Sequence, residues 1–292
     1  MNQILTPKDF IKSIFRGIGQ VMFQNNALSG LIFLIGIFYA SWLLGIGAII
    51  GTISGTLCAI FLKYQKKDIL DGLYGFNGTL IGVALLFFFN PTLLLFILMI
   101  LAIALSTIIM NFMYKKKLSP YTFPFIISTW IFIFLITAFN ISQRTILEPV
   151  VFTNLNLLSG ISLGFGQVLF QTSIITGLLF FVGILINSRI SAIYALLGSV
   201  LGLLIGLLLT PNSLNLINLG IFGFNGVLCG IAFSSKNLKN ILFAILSISL
   251  SVFVLYGFLK LDLIALTFPF ILATWVTLFI KNRMINPIKK TQ

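Results

Sequence analysis

The chain has 292 residues, 59% of them hydrophobic and only 8% charged, with a mean hydropathy of +1.14. A water-soluble core of this length cannot bury that much apolar surface, so composition excludes an ordinary soluble domain and places the chain in a bilayer. Eighteen Lys and Arg against five Asp and Glu give a net charge of +13; the basic residues sit in short clusters between apolar runs, which marks membrane topology and not a nucleic-acid surface.

In chain order, residues 5–16 read as an amphipathic interfacial helix. Lys8, Asp9, Lys12 and Arg16 precede the first apolar run, and no small-residue cleavage signature follows, so this stretch is expected to be retained. A membrane-crossing helix needs roughly 20 apolar residues. Runs near that length predict spans at 20–40, 43–62, 73–89, 92–113 and 120–139, then at 164–186, 190–209, 219–234, 238–258 and 263–280. Two runs, 73–89 and 219–234, are short and hold matching positions in the two halves, as expected where helices break around a binding site.

Sixteen of the 18 basic residues fall on one side of this map, leaving only Arg144 and Lys260 opposite. The positive-inside rule then puts both termini in the cytoplasm of a multi-pass protein of the cell (inner) membrane.

Three blocks recur in the same order. "GIGQVMFQNNALSG" from Gly17 matches "GFGQVLFQTSIITG" from Gly164; "GFNG" from Gly75 matches "GFNG" from Gly223; "TFPFIISTW" from Thr122 matches "TFPFILATW" from Thr267. The chain is a duplication. With an odd number of spans in each half, the second copy enters the membrane in the opposite sense. The expected fold class is therefore an all-α polytopic membrane protein of two inverted-topology repeats, about five spans each, with re-entrant or broken helices lining a central pore. The expected divisions are an N-terminal segment 1–16, repeats 17–147 and 148–281, and a cytoplasmic tail 282–292.

The acidic residues Asp9, Asp68, Asp71, Glu148 and Asp262 all fall outside the spans, and there is no His. Proton relays and cation sites in membranes are built from such residues inside spans, so ion coupling is disfavoured. No Gly-rich phosphate loop appears. Cys58 and Cys229 read as small buried hydrophobes and not as a disulfide or metal pair. No cofactor, metal or enzyme activity is expected. These absences point to an uncharged solute moving down its gradient.

The candidate site is polar and neutral. Gln20 and Gln167 are each followed three residues later by a ring, Phe23 and Phe170, a spacing that on a helix puts amide and ring on one face. Phe76 and Phe224 offer a second pair of rings. Asn77 and Asn225 precede glycines, a turn signature that in a bilayer implies freed backbone beside a watery cavity. Pro124 and Pro269 suggest further helix starts, with Thr129 and Thr274 one and a half turns beyond. Which block forms the re-entrant half-helix stays open at this level. Any single Phe among 31 means little; repetition in both halves raises the reading above close packing alone.

The paired "GFNG" and "TFPF" blocks in duplicated five-span halves resemble the urea transporter family in its bacterial single-unit form, over about residues 15–281. The resemblance implies a channel-like urea permease, each protomer with its own pore, assembled as a homotrimer in the lipid bilayer. It implies that Phe23 and Phe170 clamp one, outer end of a narrow slot and Phe76 and Phe224 the inner end. Gln20 and Gln167 would bond urea at the outer site, and Thr129 and Thr274 would line the constriction. Alternatives are a channel for another small neutral solute (ammonia, a short amide, water) or a non-transporting membrane scaffold. Ammonium-type channels ordinarily carry His in the pore, which favours urea, and matched pore residues in both halves argue against a scaffold.

Overall fold

A computed structural model describes residues 5–145, 152–237 and 239–285. The expected junction at 147/148, with Glu148, and the tail beyond Ile285 lie outside them. The described residues contain no strand; one antiparallel bridge, Phe89 with Arg144, is the nearest approach to one. This is the all-α polytopic membrane fold expected from the sequence.

In the first half the helices are α1 (Pro7–Gln20), α2 (Ala27–Ala40), α3 (Trp42–Phe61), α4 (Lys66–Leu70), α5 (Gly75–Phe88), α6 (Leu93–Lys115) and α7 (Phe123–Ala138). The second half repeats the order with α8 (Leu157–Gly166), a 3₁₀ turn at Gln167–Leu169, α9 (Ile174–Asn187), α10 (Arg189–Leu209), α11 (Leu214–Asn218), α12 (Phe224–Ala232), α13 (Lys239–Lys260) and α14 (Phe268–Ile285). Helices α3, α6, α10 and α13 are long and apolar enough to cross a membrane alone, whereas α2, α5 and α7 are shorter apolar helices. Outward-facing Phe61, Leu93, Leu208 and Leu242 are largely exposed, the apolar exterior that a lipid environment requires.

Two expected spans are corrected. The run 20–40 is not one helix: α1 ends at Gln20 and α2 starts at Ala27. Asn26 is the reason for the restart, its side chain accepting from Leu28 N–H at 2.8 Å and Ser29 N–H at 3.2 Å. The run 164–186 breaks at the matching place, where Ser173 caps α9 through Thr176 N–H. The chain thus breaks at both Gln-x-x-Phe blocks. The amphipathic stretch expected at 5–16 is the start of α1, which runs on to Gln20; its Ile14, Gly17, Ile18 and Gly19 are buried, and its Ile14 carbonyl accepts from Thr52 Oγ1 at 3.1 Å. The copy repeats this bond, Ser199 Oγ to the Ile161 carbonyl at 2.7 Å.

The residues divide into two compact units. One holds Met1–Val150 with Leu169–Ser188, so α9 belongs with the first-half helices; the other holds Val151–Val168 and Arg189–Gln292. In the first unit α3 lies against α5 so closely that a methyl on Gly51 would run into the Gly78 carbonyl, and one on Gly78 into the Gly51 carbonyl. In the second, Gly198 and Gly226 stand in the same relation. Small residues let backbones approach and gain dispersion where lipid supplies no hydrophobic driving force between helices. Helix α9 docks on α2 through Phe180 against Phe33, ring centroids 5.2 Å apart, and through Thr176 Oγ1 donating to the Gly36 carbonyl at 2.9 Å.

Candidate functional site

The breaks position the first site residues. Phe23 has φ 59° and Phe170 φ 58°, a left-handed conformation that a bulky residue adopts only under strain. The helical-face argument for Gln-x-x-Phe is therefore corrected: Gln20 is the last residue of α1, and a left-handed turn, not helical periodicity, aims the Phe23 ring. Left-handed residues recur elsewhere in step with the repeat, at Gly72 and Gly220, Lys117 and Asp262, Tyr121 and Leu266. The duplication thus extends to backbone conformation.

In the first unit Gln20, Phe23 and Phe76 line one cavity of about 270 Å³, closed by Leu73, Met110, Tyr114 and the Leu118–Tyr121 segment. Every lining side chain is uncharged. The Phe23 ring meets Tyr121 edge to face at 5.8 Å. Phe23 and Phe76, expected at opposite ends of a slot, both line this cavity. Phe170, in the same unit, packs instead on Phe87 and Phe88 at 5.0 and 5.7 Å. Those rings end α5, whose other end carries Phe76, and 12 residues at 1.5 Å each separate Phe76 from Phe88 by about 18 Å. Phe23 and Phe170 are thus associated with opposite ends of α5 and do not form one clamp. An oppositely entering copy carries equivalent residues to opposite ends. The cavity also adjoins the basic segment Lys115–Lys117, so an outer position for Gln20 and Phe23 disagrees with the charge map.

Asn77 and Asn225 form no turn. Asn77 is the third residue of α5 and Asn225 the second of α12, both buried. The Asn77 Oδ1 accepts Phe125 N–H at 3.2 Å and the Asn225 Oδ1 accepts Phe270 N–H at 3.1 Å. Phe125 and Phe270 are third residues of α7 and α14, where an N–H has no partner within its own helix; Pro124 and Pro269, one position earlier, bring no N–H at all. Each Asn therefore caps a neighbouring helix inside the apolar interior. The reading of Asn-Gly as broken backbone is corrected: its glycine allows close helix approach, and its Asn satisfies a helix start.

Thr129 and Thr274 are four residues beyond Phe125 and Phe270, on the same helix faces. Thr274 Oγ1 lies 3.9 Å from Cys229 Sγ. Thr129 is fully buried and its Oγ1 has no hydrogen-bond partner among the described residues. In the second unit, Phe224 opens α12 and packs on the cluster of Leu203, Ile217 and Phe222, and Gln167 sits half-buried in the 3₁₀ turn.

Sequence reasoning missed Gln24 and Gln171. Both are buried, and each donates to a carbonyl two residues earlier, Met22 and Leu169, holding the break in shape. The second Gln of "GQVMFQ" and "GQVLFQ" was visible in the repeat. The cavity walls Met110, Tyr114 and Tyr121 carried no such signal, since they differ in the copy.

Among the described residues no group of His, Cys, Asp or Glu could hold a metal ion. The arrangement offers neutral donors and acceptors between rings, which suits binding and passage of a polar uncharged solute.

Comparison with known proteins agrees. The chain is 26% identical over 305 residues to Urea transporter 1 of sheep (Ovis aries), covering 96% of this chain and 79% of the relative. It is 28% identical over 240 residues to Urea transporter 1 of mouse (Mus musculus), covering 76% and 62%. The urea transporter family model matches residues 11–282. Over nearly its whole length, the chain belongs to the urea transporter family.

Proposed function

We propose that this multi-pass membrane protein conducts urea passively down its gradient, through a narrow slot whose first mouth is the cavity of Gln20, Phe23 and Phe76. The carrying observation is that this cavity, in a chain matched to urea transporters from residue 11 to 282, is walled only by uncharged side chains. Urea is planar, with four N–H donors and one strong acceptor, and it crosses lipid slowly because those groups lose water. Rings on its faces and oxygens at its edge replace that hydration at modest cost, and weak binding lets it leave again. Ions are refused because dehydrating a charge is far more costly and no charged wall compensates.

On this reading Gln20, Phe23, Phe76 and Asn77 belong to the first mouth and its support, Gln167, Phe170, Phe224 and Asn225 to the second, and Thr129 and Thr274 to the constriction between. The repeats 17–147 and 148–281 run in opposite senses across the cell membrane with both termini cytoplasmic, and protomers assemble as homotrimers. What supports the topology is the one-sided distribution of Lys and Arg; what supports two mouths is the matched left-handed turn at Phe23 and Phe170. As a member of a transporter family, the chain is not expected to turn over a substrate.

Stopped-flow efflux from proteoliposomes tests the proposal. Purified protein should accelerate urea release far above empty vesicles, and Gln20→Leu should slow it while the protein stays folded. Efflux at the empty-vesicle rate from intact protein would sink the reading.

A further inference from the structure

We infer that Arg16 and Asp71 are positioning residues, a clip that fixes the side-chain amide of Gln20 so that its oxygen, not its NH2, is offered to the solute; this rests on the urea-channel reading above. A free Gln amide can present either end. Here Gln20 Nε2 donates to the backbone carbonyl of Asp71 at 2.9 Å, and a carbonyl only accepts, so the bond itself decides the amide orientation. Oε1 is then the atom left for the cavity, an acceptor matched to N–H groups.

The carbonyl that makes this decision belongs to a loop held from two sides. Arg16 Nη1 donates to the Leu70 carbonyl at 3.0 Å and lies 3.9 Å from Asp71 Oδ1. Asn25, in the break beside Phe23, donates through Nδ2 to the same Asp71 Oδ1 at 2.9 Å. The ion pair is about one-third exposed, too solvated to matter much for stability. What it does is tie the end of α1, the α4–α5 loop and the break into one frame around Gln20.

The copy holds the equivalent loop with other groups: Ser159 Oγ donates to the Asn218 carbonyl at 2.9 Å, and Asn218 Nδ2 donates to the Asn154 carbonyl at 2.8 Å. The second half keeps the amide as Gln167 and the left-handed glycine as Gly220, but the positions of Arg16, Asp71 and Asn25 are Leu163, Leu219 and Thr172. The turn forms without the clip. The clip is therefore a property of the first mouth alone.

Urea efflux rates at increasing urea, from proteoliposomes holding wild type, Arg16→Leu, Asp71→Leu, Arg16→Lys or Asp71→Asn, test this. Both Leu variants should raise the half-saturating urea concentration about fivefold, the worth of one neutral hydrogen bond, with maximal flux and melting temperature little changed. Arg16→Lys and Asp71→Asn, which keep a donor and an acceptor, should return it most of the way. Unchanged half-saturation in the Leu variants of a conducting protein overturns the clip alone. So does a parallel fall in melting temperature and maximal flux without rescue, because that is a structural role. A wild type that passes no urea overturns the channel reading, and the clip with it.

Discussion

Asn77 accepts the backbone N–H of Phe125 at 3.2 Å across two helices. A side chain from α5 thereby closes the start of α7, and the same bond joins Asn225 to Phe270 in the second unit. Replacing Asn77 by the similarly sized Leu leaves that buried N–H without a partner. The expected loss is about 1–3 kcal/mol, read as a lower melting temperature in detergent, with Asn225→Leu behaving alike. An unchanged melting point in both would mean that the two caps do not contribute.

Thr129→Val should behave in the opposite way. Its hydroxyl is buried with no partner among the described residues, so removing it should leave stability equal or higher. If that hydroxyl serves a passing solute, urea flux in proteoliposomes should fall severalfold even as melting is preserved. Full flux would remove Thr129 from the conduction path.

The left-handed turn at Phe23 inverts the usual order of Ala and Gly. At an ordinary helical position Ala is the better residue by about 1 kcal/mol; at φ 59° an Ala keeps the strain that Gly relieves, about 1 kcal/mol. Phe23→Gly is therefore expected to melt above Phe23→Ala, while both lose the ring and slow urea efflux. The reverse order of melting temperatures would deny the strained turn.

Glycine contacts give a paired test. Gly51→Ala drives a methyl into the Gly78 carbonyl and is expected to destabilise by about 1–3 kcal/mol. Gly257→Ala in α13 meets nothing within 4 Å and should be neutral or slightly stabilising. Equal melting of the two variants would contradict the close α3–α5 approach.

Asp68, outside the spans in α4, has its carboxyl pushed above 3.8 by burial first and by the neighbouring Asp71 second, with Lys67 opposing. The folded protein then holds this proton more tightly than the unfolded chain, so stability falls as pH rises from 3.8 through the raised value. Asp68→Asn should flatten that decline and melt slightly higher at neutral pH. A steeper decline in the variant, followed by melting temperature against pH, would reverse the assigned direction.

The sequence by itself determined the membrane class, the long apolar helices and the duplication, because bilayer physics demands long apolar runs and a copied half keeps its blocks. It also held three residues that the fold brings to one cavity: Gln20, Phe23 and Phe76 were all legible as repeated polar or aromatic positions. What it misassigned was their geometry. Apolar runs continue straight through a helix break, so the caps at Asn26 and Ser173 were hidden inside what read as single spans. "GFNG" looks like a turn because local propensity knows nothing of the helix that lies against it. Only the tertiary structure placed Gly78 on Gly51, turned Asn77 into a cap for Phe125, and brought Phe76 and Phe23 to one cavity. Those pairings join residues about 27 to 53 apart, and no local pattern records which helix faces come together.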